Sequence, residues 1–297
     1  MPRDPRAEPT RPPSAAALWA PLVPAIGWEQ SLAARMARRP ASAFLYEFLR
    51  FGVKQGWACL FGGIMVALML GTHLLYPRAA PLARYDFLFL AALSAQALLL
   101  RFGLETWEEA KIIFLYHVIG TAMEIFKTSV GSWIYPEPAF FHIAGVPLFS
   151  GFMYASIGSY IARAWRLFDF RFTRHPPLWS LGALSTAIYA NFFTHHYVAD
   201  LRWVLFATTA LLFGRSWVHY RIWQRDRSMP LLLGLFLVAL FIWLAENIGT
   251  FSHVWLYPNQ LGGWSMVSGA KLGAWFLLLI ISYTLVAMVN KPEPLRA

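Results

Sequence analysis

Long apolar runs, broken by short stretches rich in Arg, Pro, Trp or Tyr, dominate the chain from about residue 57 onward. Such runs are too long for buried strands and too uniformly apolar for surface helices, so they predict transmembrane helices. Eight are readable: near Trp57 to Tyr76, Tyr85 to Phe102, Trp107 to Thr128, Pro147 to Trp165, Leu178 to His195, Trp203 to Phe213, Pro230 to Gly249 and Val267 to Val289. The sixth is the shortest. Ahead of them, Ala41 to Gln55 interleaves Phe44, Leu45, Phe48, Leu49 and Phe51 with Glu47, Arg50 and Lys54. That pattern suits an amphipathic helix on the inner membrane surface, or a plain lead into the first span. Residues 1–40 mix Pro, Arg and Ala without an apolar core, and read as a disordered cytoplasmic tail rather than a signal peptide.

Composition agrees with the pattern. Hydrophobic residues make up 58% of the chain and charged ones 13%, more apolar than a water-facing surface accommodates at this length. At about 20 residues per span, 297 residues fit roughly eight spans with short connections. The expected fold is therefore all-α, a polytopic membrane bundle of about eight transmembrane helices. The single cysteine, Cys59, excludes an intrachain disulfide and a thiolate metal cage.

A net charge of +10 would suggest nucleic acid in a soluble protein; here the basic residues report topology. Arg35, Arg38, Arg39, Arg50 and Lys54 precede the first span; Arg163, Arg166, Arg171 and Arg174 follow the fourth; Arg215, Arg221, Arg225 and Arg227 follow the sixth; Lys291 and Arg296 follow the eighth. All fall on one side, and only Arg78 and Arg84 go against it. The stretches from Ser129 to Val146 and from Thr250 to Met266 carry no Lys or Arg but many Trp, Tyr and Pro, as an outer interface does. A multi-pass protein of the cytoplasmic (inner) membrane with both termini in the cytoplasm follows, with membrane lipid and a lipid or small-molecule ligand as partners and no nucleic acid.

Self-comparison finds a repeat. Glu124, Thr128, Trp133, Tyr135 and Pro136 match Glu246, Thr250, Trp255, Tyr257 and Pro258, every pair 122 positions apart as Glu124 and Glu246 are. The same offset carries Trp57 onto Trp179, Thr72 onto Thr194 and His73 onto His195. Four spans per copy make both copies enter the membrane in the same direction, a tandem parallel duplication about an axis along the membrane normal rather than an inverted repeat. The copies would occupy residues 41–165 and 166–297.

The duplicated polar residues are the candidates for chemistry. Counted from Lys111 at 1.5 Å per residue, His117 lies about 9 Å and Glu124 about 20 Å into the membrane. His117, Thr121 and Glu124 share one helical face. Carboxylates in hydrocarbon are costly unless paired, protonated or wetted, so intramembrane acids mark function by default; the alternative is structural pairing of Glu124 with Lys127 and of Glu246 with Lys271. His73 and His195 end the first helix of each copy and are expected to meet the two acids near the outer half of the bundle. Alternatively, they are interfacial residues reaching the headgroups. With Asn191, His196 and Asp200 nearby, a two-His, two-Glu metal site is conceivable, but no tight ligand spacing supports one, and no cofactor is required. Catalytic candidates are thus Glu124, Glu246, His73, His195 and His117. Substrate-binding candidates are Lys127, Thr128, Trp133, Tyr135, Asn247, Thr250, Trp255, Tyr257 and Lys271. The aromatic loops after the third and seventh spans either fold back as lids or form an ordinary aromatic girdle.

The segments FLYEFLRFGVKQGWACLFGG, RYDFLFL, ETWEEAK, EIFKTSVGSWIYPE, GVPLFSGFMYASIGSYIARAWRLFDFRF, ANFFTHHY and LAENIGT resemble the bacterial integral membrane family called domain of unknown function 817, over nearly the whole chain after residue 40. That resemblance implies a membrane location. The order Glu124, Gly131, Tyr135, Gly145, Val146, Pro147 is similar to the acid-and-glycine pattern of membrane carotenoid hydratases, and a small acid-bearing bundle also resembles heterodimeric lycopene cyclases. Both families protonate an isoprenoid double bond. Lys127 stands where that pattern expects glycine. SGAKLG around Lys271 is similar to the retinal-binding lysine helix of microbial rhodopsins, although Lys271 falls near the outer boundary.

The leading expectation is an intramembrane enzyme, a hydratase, cyclase or isomerase, in which Glu124 or Glu246 acts as general acid toward an isoprenoid lipid. A carboxyl withdrawn from water keeps a proton available at neutral pH. The alternative is a transporter or channel for a small solute or ion using the same acids, and a third reading is retinal-type binding at Lys271.

Overall fold

The computed structural model describes Met36 and residues 40–77, 79–223 and 226–295. The tail expected over residues 1–40, save Met36 and Pro40, lies outside them, as do Arg35, Arg38, Arg39, Arg78, Arg225 and Arg296.

Among the described residues the protein is mostly helical, with nine α-helices: α1 (Pro40–Ala58), α2 (Leu60–Leu75), α3 (Arg84–Arg101), α4 (Trp107–Ser129), α5 (Phe149–Phe168), α6 (Leu178–Thr194), α7 (Arg202–Phe213), α8 (Leu231–Phe251) and α9 (Gly269–Asn290). Each apolar run read from the sequence coincides with one of α2 to α9, and the amphipathic segment is α1. By length and composition α8 and α9 are each able to cross a membrane, and Ala41–Ala58 with Leu60–Leu75, bent by 69°, passes as a third. The short α7, twelve residues, rises only about 18 Å.

Compactness divides the chain at Gly52 and Val53, inside α1. In the first part α1 exposes an apolar stripe of Phe44, Leu45, Phe48 and Leu49, while Arg50 Nη1 donates to the Tyr46 hydroxyl at 3.1 Å.

In the second part α4 packs most extensively on α5, α8 on α9, α6 on α9, α2 on α5, and α5 on α9. Glycine lets α4 and α5 approach. The ring of Tyr154 lies against bare backbone at Gly120, where a Cβ would come within 2.7 Å of it, and the Tyr116 ring lies against Gly158 in the same way at 2.8 Å. Thr106 starts α4 with a capping box: its hydroxyl accepts from the Glu109 amide at 3.2 Å and the Glu109 carboxylate accepts from the Thr106 amide at 2.8 Å.

Charge is placed inside and apolar surface outside. Arg163 and Glu105 are fully buried as an ion pair at 2.5 Å, with Ser159 Oγ donating to Glu105 at 2.9 Å and Gln96 Nε2 also donating to it. By contrast Leu75, Phe114, Leu211 and Phe241 are 69–86% exposed, an arrangement suited to a lipid solvent.

Two expectations are corrected here. Arg84 is no exception to the charge rule, because it is not a free surface charge: its guanidinium is buried, donates to Glu137 Oε1 at 2.7 Å, and also bonds Thr72 Oγ1 and the carbonyls of Met69 and Ser252. Nor is the chain purely helical. β1 (His142–Ile143) and β2 (Val146–Pro147) form a hairpin turned by Ala144 and Gly145 in the left-handed region, and β3 (Arg171–Thr173), β4 (Trp217–Arg221) and β5 (Asp226–Pro230) form an antiparallel sheet. The basic connections at that end are therefore partly strands. Arg221 Nε bonds Asp226 Oδ1 at 2.8 Å and holds that carboxyl below the usual carboxylate range.

Candidate functional site

Two buried carboxyls, one on α4 and one on α8, are linked through packed aromatic rings. Glu124 Oε2 accepts from Trp133 Nε1 and from the Tyr135 hydroxyl, both at 2.7 Å, and Oε1 accepts from the Tyr154 hydroxyl at 2.7 Å. Glu246 Oε2 accepts from Trp275 Nε1 at 2.7 Å, and Oε1 accepts from the Tyr257 hydroxyl. The donors come from two places in each half: Trp133, Tyr135 and Tyr257 from the aromatic loops, Tyr154 from α5 and Trp275 from α9. Tyr135 and Tyr257 are equivalent loop donors in the two halves, whereas the helix donor is a Tyr in one and a Trp in the other.

The rings interleave between the acids. Trp133, bonded to Glu124, packs edge-on against Tyr257, bonded to Glu246, with centroids 6.0 Å apart. Tyr154, bonded to Glu124, meets Trp275, bonded to Glu246, also at 6.0 Å. Four aromatic rings thus join two carboxyls into one centre. Above them the loops pair directly. Ile134 and Leu256 exchange both backbone hydrogen bonds at 2.9 Å in an antiparallel bridge, and these two residues are equivalent under the offset found in the sequence.

This geometry locates a proton. An indole N–H only donates, so the oxygens facing Trp133 and Trp275 must remain acceptors. Oε2 of Glu124 receives Tyr135 as well. A proton carried by either acid therefore belongs on Oε1, against a phenol that can turn from donor to acceptor: Tyr154 at Glu124 and Tyr257 at Glu246.

The remaining candidates divide. Thr121 and His117 do share a face with Glu124: both meet α5 at Gly151, where a Cβ would stand 2.5 Å from His117 Nδ1, and His117 stacks on Phe152 at 4.5 Å. Among the described residues, His117 Nδ1 and Thr128 Oγ1 are buried without hydrogen-bond partners. Asn247 and Thr250 brace the second loop, Asn247 Oδ1 accepting from the Val267 amide at 2.9 Å and Thr250 Oγ1 from Trp264 Nε1 at 3.1 Å. Trp255 fills the space over Gly249 and, unlike Trp133, gives Glu246 no hydrogen bond.

The histidines are not brought to the carboxyls. His73 stacks on His253 at 5.4 Å and touches Phe251; His195 bonds its own helix at Asn191 O and packs on His196. Among the described residues no group of three His, Cys, Asp or Glu could hold a metal.

The alternative reading, lysine pairing, is not met either: among the described residues neither Lys127 nor Lys271 makes an ion pair with a carboxyl. Lys127 Nζ lies 2.8 Å from His196 Nε2 and 4.1 Å from the Phe192 ring centroid, because the last turn of α4 turns it toward α6 while Glu124 faces α5. Burial, then the Lys127 charge, holds the His196 imidazole below its ordinary value, so it accepts from the ammonium. Lys271 Nζ sits over the faces of Tyr257 at 4.3 Å and Trp133 at 5.4 Å, without an ion pair to Glu246 among the described residues. Sequence reasoning missed Tyr154 and Trp275. The available signals were Gly120, which makes room for Tyr154, and the four-residue step from Lys271 to Trp275 along one helical face.

A mostly helical protein with helices suited to a membrane, built around two aromatic-caged carboxyls, is the class this geometry defines. The chain belongs to the family described as protein of unknown function DUF817, whose model matches residues 47–283. It is similar to the uncharacterised protein YoaT of Bacillus subtilis (strain 168), 41% identical over 254 residues that cover 84% of this chain and 96% of that protein. No solved structure matches.

Gly120→Ala should separate packing from chemistry. The added methyl displaces the Tyr154 ring and its bond to Glu124, costing about 1–3 kcal/mol. A melting curve in detergent checks this, and an unchanged midpoint would contradict the close α4–α5 contact.

Proposed function

We propose that this is an eight-span protein of the cytoplasmic membrane, with both termini inside, in which Glu124 and Glu246 act as general acid and base on an isoprenoid lipid. The observation that carries the reading is the pair of carboxyls joined by Trp133, Tyr154, Tyr257 and Trp275. Aromatic faces suit an apolar substrate and stabilise a developing cation; the Lys271 ammonium already rests on two of them.

In the reaction, one carboxyl delivers its Oε1 proton to an alkene carbon, and the π electrons become the new C–H bond. The adjacent carbon is left cationic beside the rings. The second, ionised carboxyl then takes a proton from a neighbouring carbon, shifting or cyclising the alkene. In a hydration it takes the proton from attacking water instead. Either way one proton is given and one received.

The span count rests on interior charge. Under it α3, α4 and α5 are spans that carry charge on their inward faces, with Arg84, Glu124, Lys127 and Arg163 all buried. The duplication over 41–165 and 166–297, behind a cytoplasmic tail at 1–40, is supported by the matched helices and by the Ile134–Leu256 bridge. Under this reading α1 lies on the inner surface, and the two bridged loops are lids.

With Cys59→Ser as background, Ile134→Cys with Leu256→Cys should form a disulfide, since hydrogen-bonded antiparallel partners have Cα atoms about 5.5 Å apart. Turnover should stop on oxidation and return on reduction; failure of the pair to cross-link would contradict the bridge. The function itself is tested by deleting the gene and profiling isoprenoid lipids. An unsaturated precursor should accumulate. An unchanged profile, together with solute or proton flux in liposomes of the purified protein, would overturn the reading in favour of a carrier.

A further inference from the structure

Beside the carboxyl centre lies a second cluster, made of positive charge, that the acid chemistry does not use. Lys127 is 4% exposed, yet its hydrogen bond goes to a neutral imidazole, His196, at 2.8 Å. Lys271 makes no ion pair among the described residues and rests on the rings of Tyr257 and Trp133. The Lys127 carbonyl accepts from the Ser132 amide, one residue before the Trp133 ring on which Lys271 rests, and the Lys271 charge reaches both Lys127 and His196. Arg202 is already matched by Asp200 at 3.1 Å. Glu246 is the nearest counter-charge to Lys271, and even when ionised it balances one ammonium of the two.

An ammonium withdrawn from water without an anion is costly. A neutral His and aromatic faces are weak substitutes for a counter-charge. The Lys271 ammonium stands in the first turn of α9, where the helix dipole disfavours a cation and favours an anion. Ser268 at the N-cap gives that turn no side-chain hydrogen bond. Several donors of one kind therefore converge from α4, from the end of α6 and from the start of α9.

We infer that Lys127, His196, Lys271 and the first turn of α9 form a binding site for a phosphoryl group. A tetrahedral oxyanion supplies enough negative charge for both lysines and enough acceptor oxygens to be shared among separate helices. The group is either free phosphate or the head of a phosphate-bearing lipid. The site stands independently of the acid chemistry, and binding at it is measurable in a protein without turnover.

The test uses the full chain, delipidated in neutral detergent, with two probes: inorganic phosphate and dioctanoyl phosphatidic acid. At least one should raise the melting temperature in a saturable way. Lys127→Met and Lys271→Met should each weaken that binding at least tenfold, whereas Lys127→Arg should retain it and Lys111→Met, at the opposite end of α4, should leave it unchanged. A response to phosphatidic acid alone assigns the site to a lipid head; a response to both assigns it to the phosphoryl group itself. Should Lys127→Met fail to fold, Lys271→Met carries the comparison. No stabilisation of the wild-type chain by either probe, or an unaltered response in Lys271→Met, overturns the inference.

Discussion

Arg163→Met should destabilise the protein by about 3–5 kcal/mol, the usual cost of removing one partner from a fully buried ion pair. Both charges are wholly inaccessible and 2.5 Å apart. With the guanidinium gone, Glu105 keeps only Ser159 and Gln96 as donors, neither of which cancels a charge. The arginine also donates to the Trp57 carbonyl at 3.1 Å, tying the end of α1 to α5, so its loss loosens that contact as well. Adding Glu105→Gln to Arg163→Met should recover most of the loss, because the buried charge disappears with its partner. Unfolding midpoints of the two variants in mild detergent measure this. Equal midpoints for wild type and Arg163→Met would mean that the pair contributes no net stability.

Glu124→Gln and Glu246→Gln should each lower turnover about 10²–10⁴-fold, the range for a lost general acid or base, while leaving the fold intact. The reason is in the donor pattern. A glutamine at position 124 can keep its carbonyl toward Trp133 and Tyr135 and turn its amide toward Tyr154, whose hydroxyl then accepts. At position 246 the carbonyl faces Trp275 and the amide faces Tyr257. Every hydrogen bond survives and only the transferable proton is removed. The double variant should be little worse than either single one, because the two carboxyls work as one centre. Glu124→Ala differs: it strands three donors at about 1–3 kcal/mol each and should lose stability along with activity. If the Gln variants melt as wild type and turn over as wild type, both acids are structural acceptors.

What was legible in the sequence follows from periodicity and self-similarity. The helices α2 to α9 lie within about four residues of the apolar runs, because a long apolar run between breaks has few alternative structures. The repeat pointed to Glu124, Glu246, Trp133, Tyr135 and Tyr257 together, and the structure gathers them. Partnerships between distant helices were not legible. Tyr154 and Trp275 differ in type and are not a pair under the offset that relates Glu124 to Glu246, so an offset search passes over them. Arg163 reads as an ordinary inner positive charge until Glu105 is seen against it. The spacing of Glu124 and Lys127 suggested a pair, yet a last-turn residue follows its own neighbour, here His196. The strands β3 to β5 are three to five residues long, too short for their alternation to stand out against the basic connections around them.

Deuterium transfer is the most direct test of the central claim, that the Glu124–Glu246 centre moves a proton to and from carbon. Purified protein in liposomes of its host's own membrane lipids, incubated in D₂O, should place deuterium on a carbon of an isoprenoid lipid, read by mass spectrometry, and Glu124→Gln with Glu246→Gln should abolish the label. Unlabelled isoprenoids with the wild-type protein, or equal labelling with the double variant, would contradict the account.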